Sequence, residues 1–183
     1  MARSVRTTIG FLAAFVLVAA FLVPASARAS ETRLSSSRSA TAALDIGVLE
    51  QLNAIRAAHG LTTLTLNPSL SAAARTHSDE MLADGYFAHD SADGSPFWKR
   101  IQAFYPQGQF GYWLVGENLF WTAGSSTATQ SMNAWMASPE HRANILDPAW
   151  RQIGISAATS PDAPGAYSGL SVTVITTDFG VRR

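Results

Sequence analysis

The chain has 183 residues, 13 basic against 13 acidic side chains, no cysteine and 47% hydrophobic residues. This balance excludes a basic nucleic-acid footprint, and the missing thiols exclude disulfide staples, a cysteine nucleophile and thiolate metal ligands. Stability has to come from packing a single core, which a chain of this length can bury.

Residues 1–29 read as an export signal. Arg3 and Arg6 precede an apolar run from Ile9 to Val23, too short for a comfortable membrane span, and Pro24 with Ala27-Arg28-Ala29 supplies an A-x-A cleavage site. Cleavage there makes Ser30 the mature start; a retained signal anchor is the rival. Loss of Arg3, Arg6 and Arg28 leaves ten basic against thirteen acidic side chains. An acidic balance argues against nucleic acid or an anionic membrane surface as partner. Residues 30–43 are rich in Ser, Thr, Ala and Arg and read as a flexible linker, so the folded domain is expected over 44–183.

From Leu44, a helical stripe of Val48, Leu52 and Ile55 runs to a stop at Gly60. Leu61–Leu66 reads as a short extended link. Asn67-Pro68 starts a second helix whose apolar face carries Leu70, Ala73, Ala74, His77 and Met81, and Gly85 ends it. A third helix opens at Gly94-Ser95-Pro96 and stops before Pro106. Residues 107–124 are aromatic and glycine-rich without a clean period and read as an ordered loop with one short strand. A fourth helix begins near Ser126, with Met132, Trp135 and Met136 inward. Ser138-Pro139 then starts a short helix, Ser138 as cap, carrying Glu140, His141 and Asn144 with Ile145 as apolar anchor. Gln152–Ala158 and Leu170–Asp178 read as strands of a hairpin turning at Pro161–Gly165. The fold class is α+β, with a small, mainly antiparallel sheet between helical layers.

Four histidines remain after the signal. His59 reads as a solvated helix-end residue and His77 as a hydrogen-bonded structural one. His89 follows a Gly-Tyr-Phe turn, where a scaffold presents functional groups. With His141 and the lone acid Glu117 it makes a plausible first shell for zinc or another divalent ion, although the spacing matches no compact metal motif. Spacing alone favours simple backbone hydrogen bonds for both histidines. No G-x-S-x-G elbow, phosphate loop or dinucleotide fingerprint is present. Arg100, Arg142 and Arg151 are scattered and read as solvated surface. Trp98, Trp113, Trp121 and Trp150 read as core or as the lining of an apolar groove.

Taken in order, Leu52-Asn53-Ala54-Ile55-Arg56, Ala74-Arg75-Thr76-His77-Ser78, Gly85-Tyr86-Phe87-Ala88-His89, Gly116-Glu117-Asn118-Leu119, Trp135 to Leu146, Ile153-Gly154-Ile155 and Thr177-Asp178-Phe179-Gly180 carry a resemblance. The chain resembles the CAP superfamily of cysteine-rich secretory, antigen 5 and pathogenesis-related proteins, in its cysteine-free, exported bacterial branch. The resemblance implies a three-layer α-β-α sandwich whose cleft gathers two histidines, matched by His89 and His141, and the glutamate of a Gly-Glu-Asn motif, matched by Glu117. The family's other acid falls at Ser138, a departure from the full tetrad at that position, and Glu140 lies close without occupying it. Asn118, Asn144, Ser138 and Glu140 are then expected around the cleft. In the family the histidines can hold zinc or magnesium, and some members bind sterols or fatty acids. The resemblance therefore implies a secreted, monomeric, non-catalytic binding domain for a small apolar ligand or an extracellular partner. A lipid or sterol carrier at the cell envelope and a metal-dependent hydrolase or peptidase are the alternatives.

Overall fold

A four-stranded sheet in the order β1-β3-β4-β2 separates two helical layers. The computed structural model describes residues 25–183, with side chains from Ser30 onward except Leu34, so most of the expected export signal lies outside the described residues. The strands are β1 (Thr65–Leu66), β2 (Trp113–Ala123), β3 (Gln152–Ala163) and β4 (Leu170–Arg182). β1 pairs parallel with β3, whereas β3–β4 and β4–β2 are antiparallel. The helices are α1 (Ala25–Ala58), α2 (Pro68–Asp84), α3 (Phe97–Phe104), α4 (Ala128–Ala137) and α5 (Pro139–Ile145). The three-layer expectation holds.

Strand alternation sends neighbouring β4 residues to opposite layers. Ile175, Phe179 and Val181 join Val48, Leu52, Met132, Trp135 and Ile145 under α1, α4 and α5. Val172 and Val174 pack with Met81, Leu82 and Tyr167 on the α2 side. Leu70, Ala73, Ile101 and Tyr105 close the core between α2 and α3. Because both faces are covered, β4 does not read as a simple apolar–polar alternation, which explains why Ile175 interrupts the pattern.

The helix boundaries follow their chemistry. Asn67 Oδ1 accepts from the N–H groups of Ser69 and Leu70, with Pro68 in the first turn. Residues 30–43, expected as a flexible linker, instead continue α1 as a largely exposed helix. Their Ala, Ser and Arg content includes no Gly or Pro to stop it. The expected hairpin is present, but its strands run longer. The connection holds a 3-10 turn at Gly165–Tyr167, and a register shift falls between Ser160 and Ala163.

The largest correction concerns residues 107–124. Expected as a loop with one short strand, they contain the eleven-residue β2, paired along its length with β4. Its Gly116 and its runs of buried residues on both faces hide the period-two signal. Strand identity here comes from partner and cover, not from pattern.

The outer edge of β3 is covered by α1, where Asp45 accepts from the Ala157 N–H at 2.6 Å. Burial pushes the Asp45 carboxyl up to about 6, against the lowering influence of that hydrogen bond and of Arg75. The folded state therefore binds a proton between the ordinary carboxylate value and about 6 that the unfolded chain has lost, so stability falls as pH rises through that window. Asp45→Asn is expected to remove this component, on the order of 1–2 kcal/mol once partial exposure is allowed for. Urea midpoints of the two proteins between pH 4 and 7 check it: a wild-type slope unchanged in the variant refutes the assignment.

Candidate functional site

The site forms where β2 meets the loop after α2 on one side and α5 on the other. Glu117 projects from β2 toward α2 and α3, and its register partner on β4 is Asp178. Asn118 projects the opposite way, toward α5. This single alternation distributes the Gly-Glu-Asn motif between the two layers. Gly116 is required by packing, because a Cβ there would stand 2.8 Å from Asn144 Oδ1 and 2.9 Å from the Trp150 ring.

Glu117 is buried and fully engaged. Its Oε1 lies 2.8 Å from His89 Nδ1, and its Oε2 pairs with the guanidinium of Arg100. Arg100 also donates to the His89 carbonyl at 3.3 Å and to Ser91 Oγ at 3.0 Å, so one guanidinium ties the His89 loop to the carboxylate beneath it. Arg100 was expected at the solvated surface; the fold buries it instead. Its place on α3 facing β2 is set by Phe97 and Ile101 packing inward, which the local sequence does not reveal. Arg142 and Arg151 are exposed, as expected.

Asp178 is the second residue that sequence reasoning passed over. It is fully buried, and no donor reaches either carboxyl oxygen. Burial, reinforced by the charge of Glu117, holds its carboxyl well above the usual carboxylate range. Burial beside Glu117 therefore favours the neutral form of this carboxyl. The signal was in view, since Thr177-Asp178-Phe179 places an acid inside an apolar strand.

A clasp of polar side chains positions the His89 loop. His77, buried on α2, has Nε2 2.9 Å from the Ala88 carbonyl. Tyr86 donates to Glu80 Oε2 at 2.7 Å, and Glu80 Oε1 accepts from the Ala92 N–H at 3.2 Å. The structural reading of His77 stands, and so does that of His59, whose exposed ring reaches the Ile55 carbonyl.

On the other side, Asn144 donates to the Glu117 carbonyl at 3.2 Å and to Asn118 Oδ1 at 3.0 Å, while Asn118 donates to the His141 carbonyl at 3.1 Å. The two amides thus lock α5 onto the strand. Ser138 makes no side-chain cap to the helix backbone. Its hydroxyl lies 2.8 Å from His141 Nδ1. Glu140 is exposed on the first turn of α5. Arg56, buried on α1, donates to the carbonyls of Ile145 and Asp147 and fixes the far end of the helix.

The two imidazoles differ in environment. The hydrogen bond to Glu117 raises the His89 pKa above its ordinary value, while desolvation and the charge of His89 lower that of His141. Each ring commits Nδ1 to a neighbour, and neither Nε2 has a protein partner among the described residues. Free Nε2 atoms with oriented Nδ1 atoms are the donor chemistry a divalent cation uses. Glu117 fits that role poorly, since Arg100 and His89 occupy its oxygens. Among the described residues, no group of three or more His, Asp or Glu is gathered as a ready-made metal cage.

Of the tryptophans, Trp150 is buried against Phe179, Trp113 and Trp121 are half-buried, and Trp98 is exposed. No helix among the described residues is long and apolar enough to cross a membrane.

The model of the CAP, cysteine-rich secretory protein family matches residues 49–176. YkwD, an uncharacterized protein of Bacillus subtilis (strain 168), is 36% identical over 133 residues, 72% of this chain and 49% of the relative. The uncharacterized membrane protein YlbC of the same organism is 26% identical over 59% of this chain and 30% of its own length. The chain therefore spans half or less of the curated relatives it matches. An extracellular protein with an SCP domain from Bacillus anthracis superposes with a TM-score of 0.62 at 24% identity, covering 81% of this chain and 43% of that one. An outer surface protein of Borrelia burgdorferi gives 0.59 at 20% identity, covering 74% and 90%. With its matched segment spanning most of its length, this chain belongs to the CAP, cysteine-rich secretory protein family.

Proposed function

We propose that the protein is an exported, non-catalytic CAP domain, monomeric in solution, that binds an extracellular ligand in a cleft where His89 and His141 hold a divalent cation such as zinc or magnesium. The observation that carries this reading is the orientation of the two rings: each Nδ1 is tied down, to Glu117 and to Ser138 respectively, leaving both Nε2 atoms free. In this arrangement Glu117 orients His89 and does not itself need to touch the metal. The same geometry favours binding over hydrolysis. A general base needs an uncommitted lone pair within reach of water, and both carboxylate oxygens of Glu117 already hold partners. A bound cation would supply positive charge to a ligand's oxygen donors, while Asn118 and Asn144 keep the His141 helix in place.

The test is a calorimetric zinc titration of the chain from Ser30 to Arg183, beside His89→Ala and His141→Ala. Stoichiometric binding abolished by either change, with circular dichroism unaltered, is the expected result. Because cation binding requires neutral imidazoles, affinity should also fall as pH drops, and the fall should begin above the ordinary imidazole range because Glu117 raises the His89 pKa. Binding that survives both substitutions, or none at all, would make the rings purely structural and sink the cation reading.

A further inference from the structure

A second site lies at the end of the sheet where β1, β3 and β4 meet the loop after α3. Thr62, Thr63 and Thr65 form one wall of a groove of about 480 Å3, and Phe110, Arg151, Gln152 and Arg182 form the rest. None of these residues belongs to the histidine cleft. The volume falls within the usual range for small-ligand sites.

Both guanidiniums are ordered before any ligand arrives. Arg182 sits 4.1 Å from the Tyr105 ring centre and 5.2 Å from that of Phe110, and its Nη1 donates to the Pro106 carbonyl at 3.0 Å. Arg151 spends its Nη1 on the carbonyls of Pro148, Ala149 and Trp150. The Nε and Nη2 donors of both have no acceptor among the described residues. No carboxylate is among the lining residues, and Asp147, the acid nearest Arg151 in sequence, is committed to the Ala149 N–H at 2.7 Å. Two fixed cations without counter-ions, in a domain with more acids than bases, are a local device and not an average property of the surface.

The remaining groups narrow the ligand. A guanidinium fork matches two oxygens of a phosphate or carboxylate. Thr62 and Thr63 add hydroxyls that both donate and accept, and Thr65, whose hydroxyl donates to the Arg151 carbonyl at 3.3 Å, adds an acceptor. Gln152 accepts from the Tyr105 hydroxyl through Oε1, which leaves its amide N–H groups to donate. Phe110 is exposed and offers an apolar ring face. Forked cations, neutral hydroxyl partners and one aromatic face together suit a sugar that carries a negative charge. We propose that this groove binds an anionic saccharide unit, a sugar bearing phosphate or carboxylate, either free or as part of an extracellular glycan.

Amide chemical shifts of the labelled protein, titrated with glucose 6-phosphate, glucuronate, glucose and inorganic phosphate, test it. The charged sugars should shift Thr62, Thr63, Thr65 and Gln152, with glucose and phosphate alone much weaker. Arg182→Gln should weaken binding roughly tenfold, the loss of a charge-assisted pair, while Arg38→Gln, with the same change of net charge on exposed α1, should not. If Arg182→Gln melts early, Arg182→Lys keeps the charge and loses the fork, and should still weaken binding. Comparing glucuronate with hyaluronate, a glucuronate-containing polymer, separates a free acid from a glycan source. Absence of shifts, phosphate binding as tightly as its sugar ester, or equal effects of the Arg182 and Arg38 changes would each overturn the proposal.

Discussion

Arg100→Leu is expected to destabilise the protein by about 3–5 kcal/mol, the cost of removing one partner from a buried ion pair. The reason lies in what the side chain leaves behind. Glu117 and Asp178 are buried side by side in register, and Arg100 is the cation bonded to Glu117. Without it, a carboxylate faces a second carboxyl in an apolar interior, and the His89 carbonyl and Ser91 hydroxyl lose their donor. Leucine replaces the stem volume and none of the charge. Urea unfolding at pH 7 gives the magnitude. A second measurement separates local from global damage: Arg100→Leu combined with Glu117→Gln should recover part of the loss, since the buried carboxylate that lost its guanidinium is gone. A single-variant loss below about 1 kcal/mol would mean that water or Asp178 compensates, and would remove Arg100 from the site's architecture.

Gly154→Ala should also be severe and should leave little folded protein. A Cβ at this position in β3 would fall 2.0 Å from the Leu70 carbonyl carbon and 2.2 Å from the Ser71 nitrogen. These are backbone atoms of the first turn of α2, which no rotamer change can move aside. α2 would have to lift from the sheet, opening the contact that buries Leu70 and Ala73. Overpacking ordinarily costs about 1–3 kcal/mol, and a clash with main chain belongs at or beyond the top of that range. Expression with a near-native circular dichroism spectrum and a midpoint close to wild type would show that the helix has freedom the packing denies it. A control, Gly94→Ala, meets no atom within 4 Å and carries only backbone strain from its positive φ. It should cost far less.

Local chemistry made much of this protein readable from its residues alone. Asn67-Pro68 starts α2 because a side-chain oxygen and a preset φ act within one turn, and Pro139 opens α5 through its preset φ without a side-chain cap. The helical stripes of Val48 and Leu52, and of Leu70, Ala74 and Met81, predicted the core because a helix with one covered face repeats every 3.6 residues. The order of the motifs along the chain singles out His89, Glu117, His141, Asn118 and Asn144 without any knowledge of their contacts. What tertiary structure decided is what each side chain faces. β2 was hidden because a strand covered on both faces carries no polar–apolar rhythm, and its pairing with β4 comes from residues about sixty positions away. Ser138 reads as a cap and proves to be a partner of His141. Arg100 reads as surface and Asp178 as one polar residue in a strand. Only when α3 packs over β2 and β4 do these two residues close around Glu117, since a charge's neighbours in a low-dielectric interior are set by long-range packing and not by sequence distance.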